Sequence, residues 1–334
     1  LLIGNGTLAV GAPVVGNTEI LTEYSDILGL ASSYTYKGDD AGYVAQTGAT
    51  STGSVVRSLQ DKLDQMASVK DFGAVGDGDT DDTDAINRAL YQLFCREANE
   101  EVRRSLYFPA GVYRVSGLIK IPPYAKLYGE GANSTTIRYV ADGSVDDYVV
   151  CTSDSLQQTG ANIGNNGATA PRNIEVSSMT FESTEDLQSI LLVEKAVQSY
   201  FDSVNFKGPL GQTELEDAVE ASKAIAIESS VAIETAQISF NKCHISGTTY
   251  GLYAVYNCTG ITVSNGSFDT LHQGVILEST YNGGPHGVRI MQNIFDNVKA
   301  EGIQMGSVSL NVSAYNLFKN VGNSFDFSSL TNVI

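Results

Sequence analysis

Two acidic residues one repeat apart are the first candidates for chemistry. Asp269 follows Phe268 and Asp296 follows Phe295. If both rings point into a core, both carboxylates point outward on adjacent structural steps. Retaining glycosidases use a carboxylate pair about 5–5.5 Å apart, close to the ~4.8 Å between neighbouring strands. Like charges at that range raise one pKa, which suits a general acid. Lys319 follows Phe318 in the same column, so a plain ladder of surface charge reads these residues as well. Glu278 and Glu301, near the starts of neighbouring strands, are the alternative acidic candidates.

A second acidic group lies in "VKDFGAVGDGDTDDTDAINRAL", residues 69–90, which holds six aspartates. Asp77, Asp79 and Asp81 alternate as the early ligands of a calcium loop do, but position 6 is Asp82 instead of glycine and position 12 is Arg88 instead of glutamate. The stretch reads better as a helix start. Thr80 or Asp81 can cap the first amides, and Asp82 and Asp84 favour the positive end of the helix dipole. Ala85, Ile86, Ala89, Leu90, Leu93 and Phe94 then recur at helical spacing and give one apolar face. No Ser-His-Asp set, phosphate-binding glycine loop or HExxH zinc motif occurs, so neither a cofactor nor a metal is expected. Tyrosine is abundant, with 17 residues against no tryptophan, which is compatible with stacking on sugars.

The 334 residues, 42% of them hydrophobic, suffice for a sizeable core. A net charge of −18 argues against nucleic acid, which demands clustered Lys and Arg. No apolar run reaches the roughly 18 residues of a membrane span, so membrane insertion is not expected. Cys95, Cys151, Cys243 and Cys258 are widely spaced and read as small buried apolar residues.

Residues 1–53 are rich in small residues and lack a core of their own. In residues 54–68, Val56, Leu59, Leu63 and Met66 follow the 3, 4, 3 spacing of a coiled-coil seam. A single amphipathic helix resting on the next domain is the other reading of that seam. From residue 105 the pattern becomes short β-branched and aromatic runs bounded by Gly, Pro or Asn. Asn241, Asn265, Asn293 and Asn316 recur at steps of 24, 28 and 23 residues, and Phe268, Phe295 and Phe318 follow them. Phe181 and Phe206 are 25 apart. A period near 25 with several strands per unit predicts a parallel β-helix, in which each coil buries its inner face only against its neighbours. The helix at 83–95 then closes the open end of that solenoid, and residues 207–237 break the step as a coil with an inserted loop.

The motif "VKDFGAVGDGDTDDTDAINRAL", followed by "LYFPAGVYRVSG" and "KLYGEGANSTTI", resembles the start of the right-handed β-helix of the pectate lyase superfamily found in bacteriophage tailspikes and related polysaccharide-acting enzymes. The preceding "GSVVRSLQDKLDQMAS" is similar to the tailspike version, where a neck joins a virion-binding head to the β-helix. The resemblance implies an all-β protein of three parts: a virion-attachment segment over 1–53, a short helical trimeric neck over 54–68, and a capped β-helix over 69–334 that continues beyond the last residue. It implies a homotrimer in the virion tail, assembled in the bacterial host cytoplasm. Its partners would be a tail or baseplate protein and a bacterial surface polysaccharide. Degradation of that polysaccharide, by hydrolysis or elimination, is left open. A secreted monomeric lyase or hydrolase and a purely structural tail connector are the alternatives. "GGPHGVRI", with His286 and Arg289, is similar to polygalacturonase motifs, but that family's NTD and DD carboxylate motifs are missing.

Overall fold

The computed structural model describes residues 33–35, 56–58, 65–95, 105–143, 145–153, 171–211, 222–229, 234–278, 284–306 and 311–326. The chain divides into two units, 1–66 and 67–334. In the first, Ser33–Thr35 pairs antiparallel with Val56–Ser58. The neck helix expected from residue 54 is therefore a strand at Val56–Ser58. Adjacent Val55 and Val56 favour extended backbone, and a two-heptad seam has nothing to bury against within one chain. Leu59 and Leu63 lie outside the described residues, and Met66 is 65% exposed.

The second unit is a parallel β-helix whose strands form three sheets. Sheet A stacks Ala67–Ser68, Leu106–Phe108, Lys126–Gly129, the first parts of Glu175–Ser183 and Val197–Lys207, Thr235–Asn241, Thr262–Ser264, Arg289–Met291 and Val312–Ala314. Sheet B stacks Asp77–Asp81, Gly111–Val115, Thr135–Tyr139 and the second parts of Glu175–Ser183 and Val197–Lys207. It continues through the first parts of His244–Val255, Ser267–Glu278, Ile294–Met305 and Leu317–Asp326. Sheet C stacks Ile119–Ile121, Tyr148–Thr152, Ser189–Glu194, Lys223–Glu228 and the second parts of those last four strands.

Inward rows follow from the two-residue alternation of strands. In sheet B, Ile137, Phe181, Phe206, Ile245, Phe268, Phe295 and Phe318 stand in one register column. Phe268 and Phe295 stack at 4.6 Å and Phe295 and Phe318 at 4.9 Å, their rings within 12° of parallel. Both spacings match the strand separation, so the backbone ladder itself sets the stack.

Between sheets A and B the chain turns through a single left-handed residue in each of six coils: Ser178, Ser203, Lys242, Asn265, Gln292 and Tyr315, with φ from 53° to 59°. The recurrent asparagines do not share one column. Asn241 precedes its left-handed residue, Asn265 is that residue, and Asn293 and Asn316 follow theirs. The last pair stacks in register: Asn316 Oδ1 accepts the Asn293 N–H at 2.9 Å, and Asn293 Oδ1 accepts the Gly266 N–H at 2.9 Å. These amides satisfy backbone groups that the corner would otherwise bury unpaired.

Helix α1 (Thr83–Leu90) continues into a π-helical turn at Tyr91–Cys95. It buries Ala85, Ile86, Ala89, Leu90 and Phe94 in the same core as the sheets, with Leu93 packed against it. Its N-cap is Asp82, one residue beyond the candidates Thr80 and Asp81. Thr80 donates its N–H and Oγ1–H to Asp77. Asp81 accepts the Thr83 N–H at 2.9 Å. Asp82, 1% exposed, accepts the N–H groups of Val75 and Gly76 at 2.7 and 2.9 Å and so ties the glycine-rich turn to the helix start.

Candidate functional site

The two aspartates stand in register on the outer face of sheet B. Lys319 Nζ lies 2.7 Å from Asp296 Oδ2, and Asn320 donates to Asp296 Oδ1 at 3.0 Å. The lysine holds the Asp296 carboxyl below its ordinary range, and Asp296 in turn raises Lys319. A lowered pKa keeps the group ionised at neutral pH, opposite to the need of a general acid. Asp269 accepts the Asn297 side-chain N–H at 2.9 Å. The column runs on through Glu182, held between Arg138 at 2.6 Å and Lys207 at 2.8 Å. This face is a ladder of surface charge in which Glu182 and Asp296 each meet a cation on a neighbouring coil, while Asp269 and Asp296 stand next to each other as like charges.

Chain distance hid one juxtaposition on the same face. His244 Nδ1 lies 2.6 Å from Ser267 Oγ, one coil step away, with Asp269 two residues along that strand. Burial pushes the His244 pKa down. His286 is elsewhere, its Nε2 3.1 Å from Thr259 Oγ1, and Arg289 is exposed on sheet A.

Concave surface with convergent polar groups lies instead on sheet C. A pocket of about 190 Å³ is lined by Tyr250, Tyr253, Gln273, Ile276, Leu277, Glu278, Gln304 and Gly306. It is smaller than the ~300–1,000 Å³ that encloses a drug-sized ligand, so it fits one ring of a longer chain. Strand alternation builds it: Leu252, Val275 and Ile303 point into the core, while Tyr253, Ile276 and Gln304 form the neighbouring outward row. The rings of Tyr250 and Tyr253 stack at 6.0 Å, and Lys223 Nζ sits 4.6 Å from the centroid of Tyr253.

The polar groups are chained together. Tyr253 Oη donates to Glu278. Gln273 Nε2 donates to Glu301 and, at 3.0 Å, to Gln304 Oε1. Gln304 Nε2 reaches Asp326 Oδ2 at 3.5 Å. Burial first, then the bond to Glu278, pushes the Tyr253 hydroxyl far above its ordinary pKa, so it stays a donor at any physiological pH. The site thus offers an aromatic platform, carboxylate acceptors and side-chain amides that both donate and accept.

Glu278 lines this pocket and Glu301 reaches it through its bond to Gln273, and only Glu301 stands at a strand start. Glu278 ends its sheet C strand, and Glu301 opens the next one after a register shift between Leu271 and Val275. Glu278 therefore faces Gly306, five residues beyond Glu301, or roughly 16 Å of backbone. The two acids bracket the pocket from opposite ends. Sequence reasoning missed Tyr250, Tyr253, Gln273 and Gln304, because strands in three successive coils supply the site.

A close-approach column underlies the pocket. A Cβ on Gly274 would meet the Gly302 carbonyl oxygen at 2.3 Å and the Phe295 ring at 2.8 Å, and one on Gly251 would meet the Gly274 oxygen at 2.5 Å. Only glycine lets the coils close here.

A family model described as "Rhamnogalacturonase A/epimerase, pectate lyase-like" matches residues 66–326. The pre-neck appendage protein of Bacillus phage B103 is 32% identical over 129 residues, 38% of this chain and 12% of that protein. The tail spike protein of an Escherichia phage is 55% identical over 38 residues, 11% of this chain and 5% of that protein. The chain therefore spans a small part of the length of these curated relatives. The Dettilon tailspike protein gp208 aligns over 80% of this chain and 48% of its own, with a TM-score of 0.57 at 13% identity. The GH87 α-1,3-glucanase catalytic unit of Streptomyces thermodiastaticus strain HF3-3 aligns over 78% and 42%, with a TM-score of 0.52 at 12% identity. At such identities the likeness concerns the fold.

Proposed function

The chain belongs to the "Rhamnogalacturonase A/epimerase, pectate lyase-like" family, and from that premise we propose that it is the β-helical part of a phage tailspike or tail appendage. Its solenoid would have the right hand that parallel crossovers favour. In this reading the protein sits in the virion tail and adheres to a bacterial surface polysaccharide through the outer face of sheet C. The observation that carries it is the pocket itself, where the stacked Tyr250 and Tyr253 stand beside Gln273, Glu278 and Gln304. Tyrosine faces are apolar enough to pack on the C–H face of a sugar while the amides and carboxylates take its hydroxyls.

Adhesion is favoured over cleavage, because Glu278 and Glu301 lie at opposite ends of the pocket and Asp296 is ion-paired. The test is affinity of the protein for polysaccharides extracted from a panel of bacterial envelopes, with release of reducing ends followed in parallel. Tyr253→Ala is expected to weaken binding at least tenfold, on the order of a loss at a central aromatic contact. Unchanged binding by that variant, or no envelope polysaccharide bound at all, contradicts the reading. Reducing ends released by the wild type and lost in Glu278→Gln would replace adhesion with depolymerisation.

The homotrimer belongs to the same proposal and rests on the spacing of Leu59, Leu63 and Met66 and on the likeness to tailspikes. Attachment to a tail or baseplate protein is assigned to residues 1–53. Light scattering is expected to give a trimer that Leu59→Asp with Leu63→Asp weakens, and a monomeric wild type would overturn the assembly.

A further inference from the structure

Resting on that reading, we propose that the sheet C pocket takes an uncharged or amino-bearing glycan and rejects polysaccharides that carry a carboxylate on every repeat. The charge around it is lopsided. Glu278 lines the pocket, Glu301 is bonded to Gln273, and Asp326 lies 3.5 Å from Gln304. Glu228 adds a fourth acid within electrostatic reach of Tyr253.

Lys223, a cation beside these groups, is already engaged. Its Nζ lies over the Tyr253 ring at 4.6 Å and 4.0 Å from Glu228. Among the described residues, the pocket lining contains no Arg or Lys, whereas recognition of a carboxylate uses the bidentate fork of Arg or the point charge of Lys. A uronate entering here would meet like charges on both flanks. A neutral hexose would find carboxylate acceptors for its hydroxyls, and an amino sugar would find ion partners as well.

Two like charges at contact distance in water are worth about a factor of five in affinity. Salt screens them over about 10 Å at 0.1 M, so the rejection should fade as salt rises.

The experiment uses the full chain and a polysaccharide panel of matched length: neutral glucans and galactomannans, chitosan oligomers, polygalacturonate and alginate, and the envelope polysaccharides of the adhesion test in native and carboxyl-reduced forms. Binding is measured at low and at physiological salt with a chelator present. The expected result is preference for neutral or amino-bearing chains. Carboxyl reduction should leave binding equal or stronger, and Glu278→Gln with Glu301→Gln should gain about fivefold or more for the acidic chains.

Stronger binding of native acidic polysaccharide than of its carboxyl-reduced form overturns the inference while leaving adhesion intact. Binding to no glycan in the panel overturns both. Tyr253→Ala, which removes the platform and not the charge, separates the two: it should lower affinity for every glycan without changing the neutral-to-acidic preference.

Discussion

Replacing Phe295 by alanine is expected to cost the β-helix about 3–5 kcal/mol, the range for a buried phenylalanine whose cavity cannot collapse. The ring is fully buried and stacked on both sides, against Phe268 at 4.6 Å and Phe318 at 4.9 Å. Removing it leaves a gap one coil thick, and the backbone ladders of sheets B and C hold the neighbouring coils apart, so relaxation cannot close it. The loss approaches the whole stability of an ordinary domain. A solenoid concentrates it locally, because each coil is stabilised mainly by its neighbours. The coils around Phe295 should open first, as early amide exchange and protease cleavage between about residues 266 and 326. Ile294, the residue before it, points outward and is 47% exposed. Ile294→Ala should therefore cost under about 1 kcal/mol. Similar urea midpoints for the two variants would contradict the stacked core.

Substituting Gly274 by valine is expected to be as damaging for the opposite reason. Its first added carbon would lie 2.3 Å from the Gly302 carbonyl oxygen and 2.8 Å from the Phe295 ring. The first neighbour is backbone and cannot rotate away, so the coil must separate from the next or the ring must leave its stack. Overpacking of well-packed cores costs about 1–3 kcal/mol and sometimes more, and a clash with backbone belongs at the upper end. The pocket should be lost along with the stability, since Gln273 and Ile276 flank this residue. Gly131→Ala is the control, because its Cβ would meet only Ser134, with Oγ the nearest atom at 3.5 Å. It is expected to shift the urea midpoint negligibly. Soluble, wild-type-like Gly274→Val protein would contradict the close approach of the coils.

The phenylalanine column was legible in the sequence because an inward row must keep the coil step, and every ring that leaves it loses its neighbours. Phe181 with Phe206, and Phe268 with Phe295 and Phe318, were paired by spacing and are paired in register. The asparagines were less informative. Each serves a corner, but a corner can be satisfied from the residue before, at or after the left-handed position, and chain spacing does not distinguish these.

The helix at residue 83 was legible through its apolar face, which burial enforces, and its cap less so. Six aspartates offer many local acceptors, and tertiary geometry decided that Asp82 should clamp Val75 and Gly76. At Val56–Ser58 the described backbone is a strand paired with Ser33–Thr35, and the heptad pattern carries no information about whether a partner helix is present.

For the site, the register of Asp269 and Asp296 could be read from the repeat, but its chemistry depended on Lys319 in the next coil. The pocket was invisible for a geometric reason. Tyr250, Gln273 and Gln304 come from three coils, and the register shift after Leu271 displaces Glu301 from the column that spacing would assign.

Hydroxyl-radical footprinting of tyrosines in the presence of a bound envelope polysaccharide tests the assignment of sheet C most directly. The account predicts that Tyr250 and Tyr253 are protected together. Tyr107 and Tyr128, which stack at 5.1 Å on the outer face of sheet A, should label at the same rate with and without glycan. Protection of Tyr107 and Tyr128 with Tyr250 and Tyr253 unchanged would place the binding face elsewhere on the β-helix and contradict the account.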